Sequence, residues 1–135
     1  GKVFDELTDR DLVELLPAIT KAIEHLAPSN EMFGDGIRLA GLDLLSRLHI
    51  REGMTLCVSV MEPGRWGAGN RVGPCLEYLQ PYGSHAKAVL PQLREIRTQT
   101  KQVEPIDQCI AAIETSTATP VLVSIAEFKT RPLAR

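Results

Sequence analysis

Cys57, Cys75 and Cys109 are the side chains best equipped for nucleophilic or metal chemistry. A reactive thiolate needs a partly exposed sulfur beside a base or cation, and structural zinc needs ligands at CxxC-type spacing. Neither pattern occurs, and three cysteines cannot all pair within one chain. Each instead takes the second position of an apolar stripe spaced i, i+3, i+4, i+7, the place of a small buried hydrophobe. His25, His49 and His85 form no HxxxH or HExxH spacing, although Glu52 lies near His49 in sequence. These residues therefore carry capping or surface roles, and the sequence assigns no catalytic residue, no metal site and no cofactor.

Recognition chemistry is better represented. The run GRWGAGN at 64–70 holds the chain's only tryptophan, Trp66, between Arg65 and the pair Asn70 and Arg71. The glycines match neither GxGxxG nor GxxxxGK, so a phosphate cradle is not indicated. Tryptophan and arginine are the residue types that dominate binding hot spots. The competing reading tucks Trp66 back over the core as a plug. A second glycine-bearing loop, 28–36, carries Met32 and Phe33. The candidate binding residues are thus Met32, Phe33, Arg65, Trp66, Asn70 and Arg71.

The elements that must position these loops are helices. In 71–96, Val72, Cys75, Leu76 and Leu79 form one stripe and Ala86, Val89, Leu90 and Leu93 another, with Gly83 and Ser84 as C-cap and N-cap at the turn. The same spacing appears from Leu12 (through Leu15, Leu16 and Ile19), from Ile37 (through Ala40, Gly41 and Leu44), from Met54 (through Cys57, Val58 and Met61) and from Ile106 (through Cys109, Ile110 and Ile113). Thr8 with Asp11 makes a capping box for the first helix, which Pro17 should kink. TLCVSV at 55–60 is also β-prone, but the stripe favours helix. Asn70 reads as the N-cap of a fourth helix with Pro74 in its first turn, and Pro91 as a kink within a fifth helix over 85–100. Val121, Ile125 and Phe128 suggest a last short helix, followed by a frayed tail over 129–135.

Successive odd helices start 42 and 32 residues apart and successive even ones 35 and 34, the period of a two-helix repeat. Pro17 in LLPAI and Pro91 in VLPQL fall at one matched stripe position, and Ile37-Arg38-Leu39-Ala40-Gly41 is similar to a VRxxA helix start. On these residues the chain resembles HEAT repeats, with Gly41 where alanine is usual, no matching proline in the third helix and linkers of unequal length. The tetratricopeptide WxxLGxxY signature is missing. The resemblance implies an all-α fold: an αα-superhelix of about three HEAT-like hairpins, 9–49, 52–81 and 85–116, with a short C-terminal helix packed on the end.

Composition fits one such domain over 1–135, with 44% hydrophobic, 24% charged and only 4% aromatic residues. A glycine at position 1 reads as a tag-cleavage scar, so the domain is expected to be a piece of a larger protein. No apolar run approaches a membrane span, and the net charge of −2 with scattered Lys and Arg speaks against nucleic acid. The expected function is a non-catalytic protein-interaction or scaffold module whose partner is another protein or a neighbouring domain of the same chain. The alternatives are a HEAT-like DNA glycosylase, with Trp66, Arg65 and Arg71 at a flipped base, and a structural cap or spacer for a neighbouring domain. In a stack of hairpins the loops 28–36 and 63–70 share one edge, which makes that edge the expected recognition surface.

Overall fold

The computed structural model describes residues 9–24 and 32–130, with side chains over 14–23 and 35–128, and the fold is all-α. The α-helices are α1 (Asp9–Glu24), α2 (Met32–Arg47), α3 (Glu52–Met61), α4 (Ala68–Leu79), α5 (Leu90–Arg97), α6 (Val103–Thr115) and α7 (Ile125–Thr130). A 3-10 segment, Gln80–Val89, joins α4 to α5. The β-prone run 55–60 lies inside α3, because Met54, Cys57, Val58 and Met61 all reach the core from one helical face. Burial of the stripe outweighs local β-propensity here.

The four-residue stripes of α4, of the 3-10 segment with α5, and of α6 are buried at every position. Those of α1 and α2 are not. Leu15 and Ile37 are exposed, while Arg38 is buried in place of its neighbour. The physical reason lies in how α1 and α2 meet. A Cβ on Gly41 would stand 2.9 Å from the Ile23 side chain and 3.1 Å from Ile19, so the glycine lets the two helices approach closely there. Ile23, whose carbonyl Arg38 Nε reaches at 3.0 Å, is next to the last residue of α1. Ile37 therefore lies where α1 runs out. The side chains of Leu12, Met32 and Phe33, like all of 1–8, 25–31 and 131–135, lie outside the described residues.

Several boundaries differ from the sequence expectation. Residues 32–36 belong to α2 rather than to a loop. The chain enters α4 at Gly67, whose φ of 88° suits glycine, so Asn70 is inside the helix and not its N-cap. Pro74 consequently falls mid-helix, where it withholds the bond that the Asn70 carbonyl would accept. Pro91 sits at the start of α5 instead of kinking a long helix. Lacking an N–H, it cannot bond back to the Lys87 carbonyl; the Leu90 N–H takes that carbonyl with the tighter 3-10 geometry. At Gly83 the backbone adopts φ 61°, ψ −136°, which is not the left-handed helical cap expected, and the Ser84 N–H is committed to the Ala118 carbonyl at 2.8 Å.

Helix α1 packs on α2, α3 on α4, and α6 on the 3-10 segment and α5. Across these pairs α2 meets α3 and α4, and α4 meets α6. The C-terminal helix is not stacked beyond α6: the chain runs back across the molecule and α7 packs against α1, with Phe128 fully buried. Hydrophobic burial of one phenylalanine and a parallel bridge between Ile50 and Val123 explain the return. No described helix is long and apolar enough to cross a membrane.

Candidate functional site

The segment from the end of α3 to the start of α4 is built around a buried guanidinium. Arg71, Cys75 and Leu79 share one face of α4 and all are buried, Arg71 with only 1% of its surface exposed. Its Nη1 donates to the Trp66 carbonyl at 2.7 Å and to Asp35 Oδ2 at 2.9 Å. Its Nη2 donates to the Glu62 and Arg65 carbonyls at 3.1 and 3.2 Å. One side chain thus binds three main-chain acceptors of the 62–66 turn, adding a second donor to the Glu62 and Arg65 carbonyls, which also accept the Arg65 and Ala68 N–H groups. Arg71 Nε lies 3.3 Å from Glu62 Oε1, close enough for charge attraction but without hydrogen-bond alignment.

Arg38, 2% exposed, completes the cluster from α2. Its Nη2 and Nη1 grip Glu62 at 2.8 and 3.1 Å, and Nη1 also donates to Asp35 Oδ1 at 3.2 Å. Arg65 adds a third hydrogen bond to the Glu62 carboxylate, at Oε1, 3.1 Å away. Burial alone would raise the Glu62 pKa, but the hydrogen bonds and charges of Arg38, Arg65 and Arg71 together hold it below the ordinary glutamate value. The Glu62 hydrogen bond and charge likewise raise Arg38 despite its burial. Each carboxylate is shared between guanidiniums, the arrangement under which buried charge is tolerated.

Above this base Trp66 is 58% exposed. It borders a cleft of about 180 Å³ with Asp35, Gly36, Leu39, Gly67 and Asn70. The structure thus gathers Arg65, Trp66 and Asn70 at one edge, with Trp66 outside the core. Arg71 is not on that surface: it lies beneath it, because its guanidinium closes the turn. Met32 and Phe33 have backbone positions in α2, while their side chains lie outside the described residues. The connection between α5 and α6 reaches the same edge, where Gln102 Nε2 donates to the Gly69 carbonyl at 3.4 Å.

Sequence reasoning passed over Asp35, Glu62 and the burial of Arg38. A signal existed: Arg38, Leu42 and Leu45 keep stripe spacing, as do Arg71, Cys75 and Leu79, so each arginine stands in register with buried apolar residues. An arginine in a core register implies a buried acid partner.

The cysteines lie in the core rather than on this edge. All three are free and buried. Burial drives the Cys75 thiol up to about 12 against the lowering effect of Arg38 and Arg71, and raises Cys57 and Cys109 as well. Cys75 and Cys109 should therefore react with a thiol reagent in the native protein far more slowly than in denaturant. Rapid native labelling of either would show that its helix face is misassigned. His49 lies edge-on to Tyr82, and His85 Nε2 is 2.8 Å from the Pro120 carbonyl. Among the described residues no group of three or more His, Cys, Asp and Glu is placed to hold a metal ion. No protein-family model matches the chain, and comparison with curated proteins and with solved structures gave no match.

Proposed function

We propose that the protein is a non-catalytic protein-interaction module of HEAT-like helical hairpins, recognising another protein, or a neighbouring domain, through the edge that bears Arg65, Trp66 and Asn70. The observation that carries this reading is an exposed tryptophan on a turn whose carbonyls are clamped from below by buried Arg71. A rigid aromatic presented beside a small cleft loses little conformational entropy on binding, which is what makes a hot spot effective. The alternating contacts of α1–α2, α3–α4 and α5–α6, with α2 against α4 and α4 against α6, support the hairpin repeat. One observation favours the cap reading for the far end. The exposed pairs Arg94–Glu114 at 2.9 Å and Arg97–Asp107 at 2.6 Å give α5 and α6 a polar outer face of the kind that terminates a stack.

Trp66→Ala tests the proposal. Partner capture by the immobilised full chain is expected to fall at least ten-fold, while the melting transition stays within about 0.5 kcal/mol of the parent, as for a surface change. Intact capture with a large fall in the melt would make Trp66 a structural plug and sink the site. Salt-dependent binding of DNA lost on the same substitution would favour the glycosylase alternative.

A further inference from the structure

The residues after α6 cross the array as an extended strap at the edge where α3 begins, away from the Trp66 turn at its end. The Ala118 carbonyl accepts from Ser84 N–H at 2.8 Å, and the Pro120 carbonyl faces His85 Nε2 at 2.8 Å. Val123 accepts from Arg51 N–H at 2.7 Å and donates to the His49 carbonyl at 3.1 Å. Ile125 N–H donates to Glu52 Oε1 at 3.0 Å. At each of these points the strap offers main-chain groups, the mode by which an extended peptide is bound along an edge.

Side-chain sockets add selectivity. At Gly83 any Cβ would overlap the Ala118 carbonyl, so a glycine there makes room for the strap backbone. Leu122, Val123 and Ile125 are partly buried against the core, and Phe128 is wholly buried. Between the anchors Val121 is 84% exposed. The strap also carries its own folded end: Ser124 N–H donates to Glu127 Oε1 at 2.9 Å and Glu127 N–H to Ser124 Oγ at 3.0 Å, a reciprocal capping box that starts α7.

We propose that this edge, formed by His49–Glu52 and Gly83–His85, is a peptide-docking groove and that 116–128 is its releasable intramolecular occupant. The external ligand that fits is a peptide extended through a β-branched aliphatic and closing in a helical turn that carries an aromatic five residues later, as Val123 and Phe128 do in this chain. Such a ligand competes with the strap, so the groove is closed until the strap lifts. The proposal does not depend on the Trp66 edge.

The test uses the full chain and a fluorescein-labelled peptide of the sequence 116–130. Binding to the Phe128→Ala chain is expected to be at least ten-fold tighter than to the parent, and a peptide with the same substitution is expected not to bind. Ile125→Pro, which deletes the strap's own N–H donor to Glu52 and leaves the groove residues unchanged, should also admit the peptide. In the parent chain, hydrogen exchange should release the Arg51, Ser84 and Val123 amides together and before those of α4 and α6. No peptide binding to either helical variant, or exchange of these amides only in step with α4 and α6, would overturn the proposal.

Discussion

Replacing Arg71 by alanine should cost about 3–5 kcal/mol of folding stability, the range for removing one partner of a buried ion pair. The loss has three parts. Asp35 keeps only Arg38 as a described ion-pair partner, Glu62 loses a nearby positive charge, and the Trp66 carbonyl loses its guanidinium donor while the Glu62 and Arg65 carbonyls fall back on the Arg65 and Ala68 N–H groups alone. Arg71→Met, which keeps an unbranched apolar stem, should recover little of this, because the carboxylates remain without the charge. Urea unfolding measures the stability, and the fluorescence anisotropy of the single tryptophan reports the turn. Anisotropy should fall in both variants before the global transition. A loss below about 1 kcal/mol with unchanged anisotropy would mean that water or a shifted Arg65 replaces the guanidinium, and the clamp would have no energetic meaning.

What the sequence made legible follows from the range of its signals. Periodicity at i, i+3, i+4 and i+7 is local, so the core faces of α3, α4 and α6 could be read residue by residue, including the burial of all three cysteines. Helix ends depend on cancelling effects within one turn and were less legible. Asn70, a good N-cap by type, lost that position to Gly67, which alone suits φ 88°. The buried cluster joins Asp35, Arg38, Glu62 and Arg71 over as many as 36 residues, and no local pattern couples an arginine on one helix to a carboxylate at the end of another. The strap was illegible for the same reason. The third hairpin's expected end at 116 falls one residue past the last residue of α6, Thr115, but nothing there says that the chain then turns back to Ile50.

The two edges of the molecule are therefore held by different physics. At the Trp66 edge, shared carboxylates and guanidiniums fix a turn of main chain. At the strap edge, main-chain hydrogen bonds and apolar sockets do so. At the second the docked segment also brings its own cap, the reciprocal Ser124–Glu127 pair that starts α7.

Tyr82 is the residue that joins the strap edge to the core, and Tyr82→Ala should cost about 3–5 kcal/mol, as for other large aromatics removed from a core. The position reads as a turn residue in sequence, lying between Pro81 and Gly83, yet the ring is fully buried. Its hydroxyl donates to the Ile50 carbonyl at 2.7 Å, and burial raises its pKa well above the usual phenol value. Gly53 is the matching socket, since a Cβ there would overlap the hydroxyl. Ile50 in turn bridges to Val123, so the tyrosine fixes the floor on which the strap lies. Tyr82→Phe separates the two contributions. It keeps the ring and removes one of two donors to the Ile50 carbonyl, which retains the Gly53 N–H at 3.0 Å, so the loss should be that of one hydrogen bond, about 0.5–1.5 kcal/mol. Hydrogen exchange of the Arg51 and Val123 amides should accelerate in Tyr82→Phe while exchange in α6 follows only the global loss. Equal stability of Tyr82→Phe and the parent, with those amides unchanged, would show that the hydroxyl is idle and that the ring alone holds this edge.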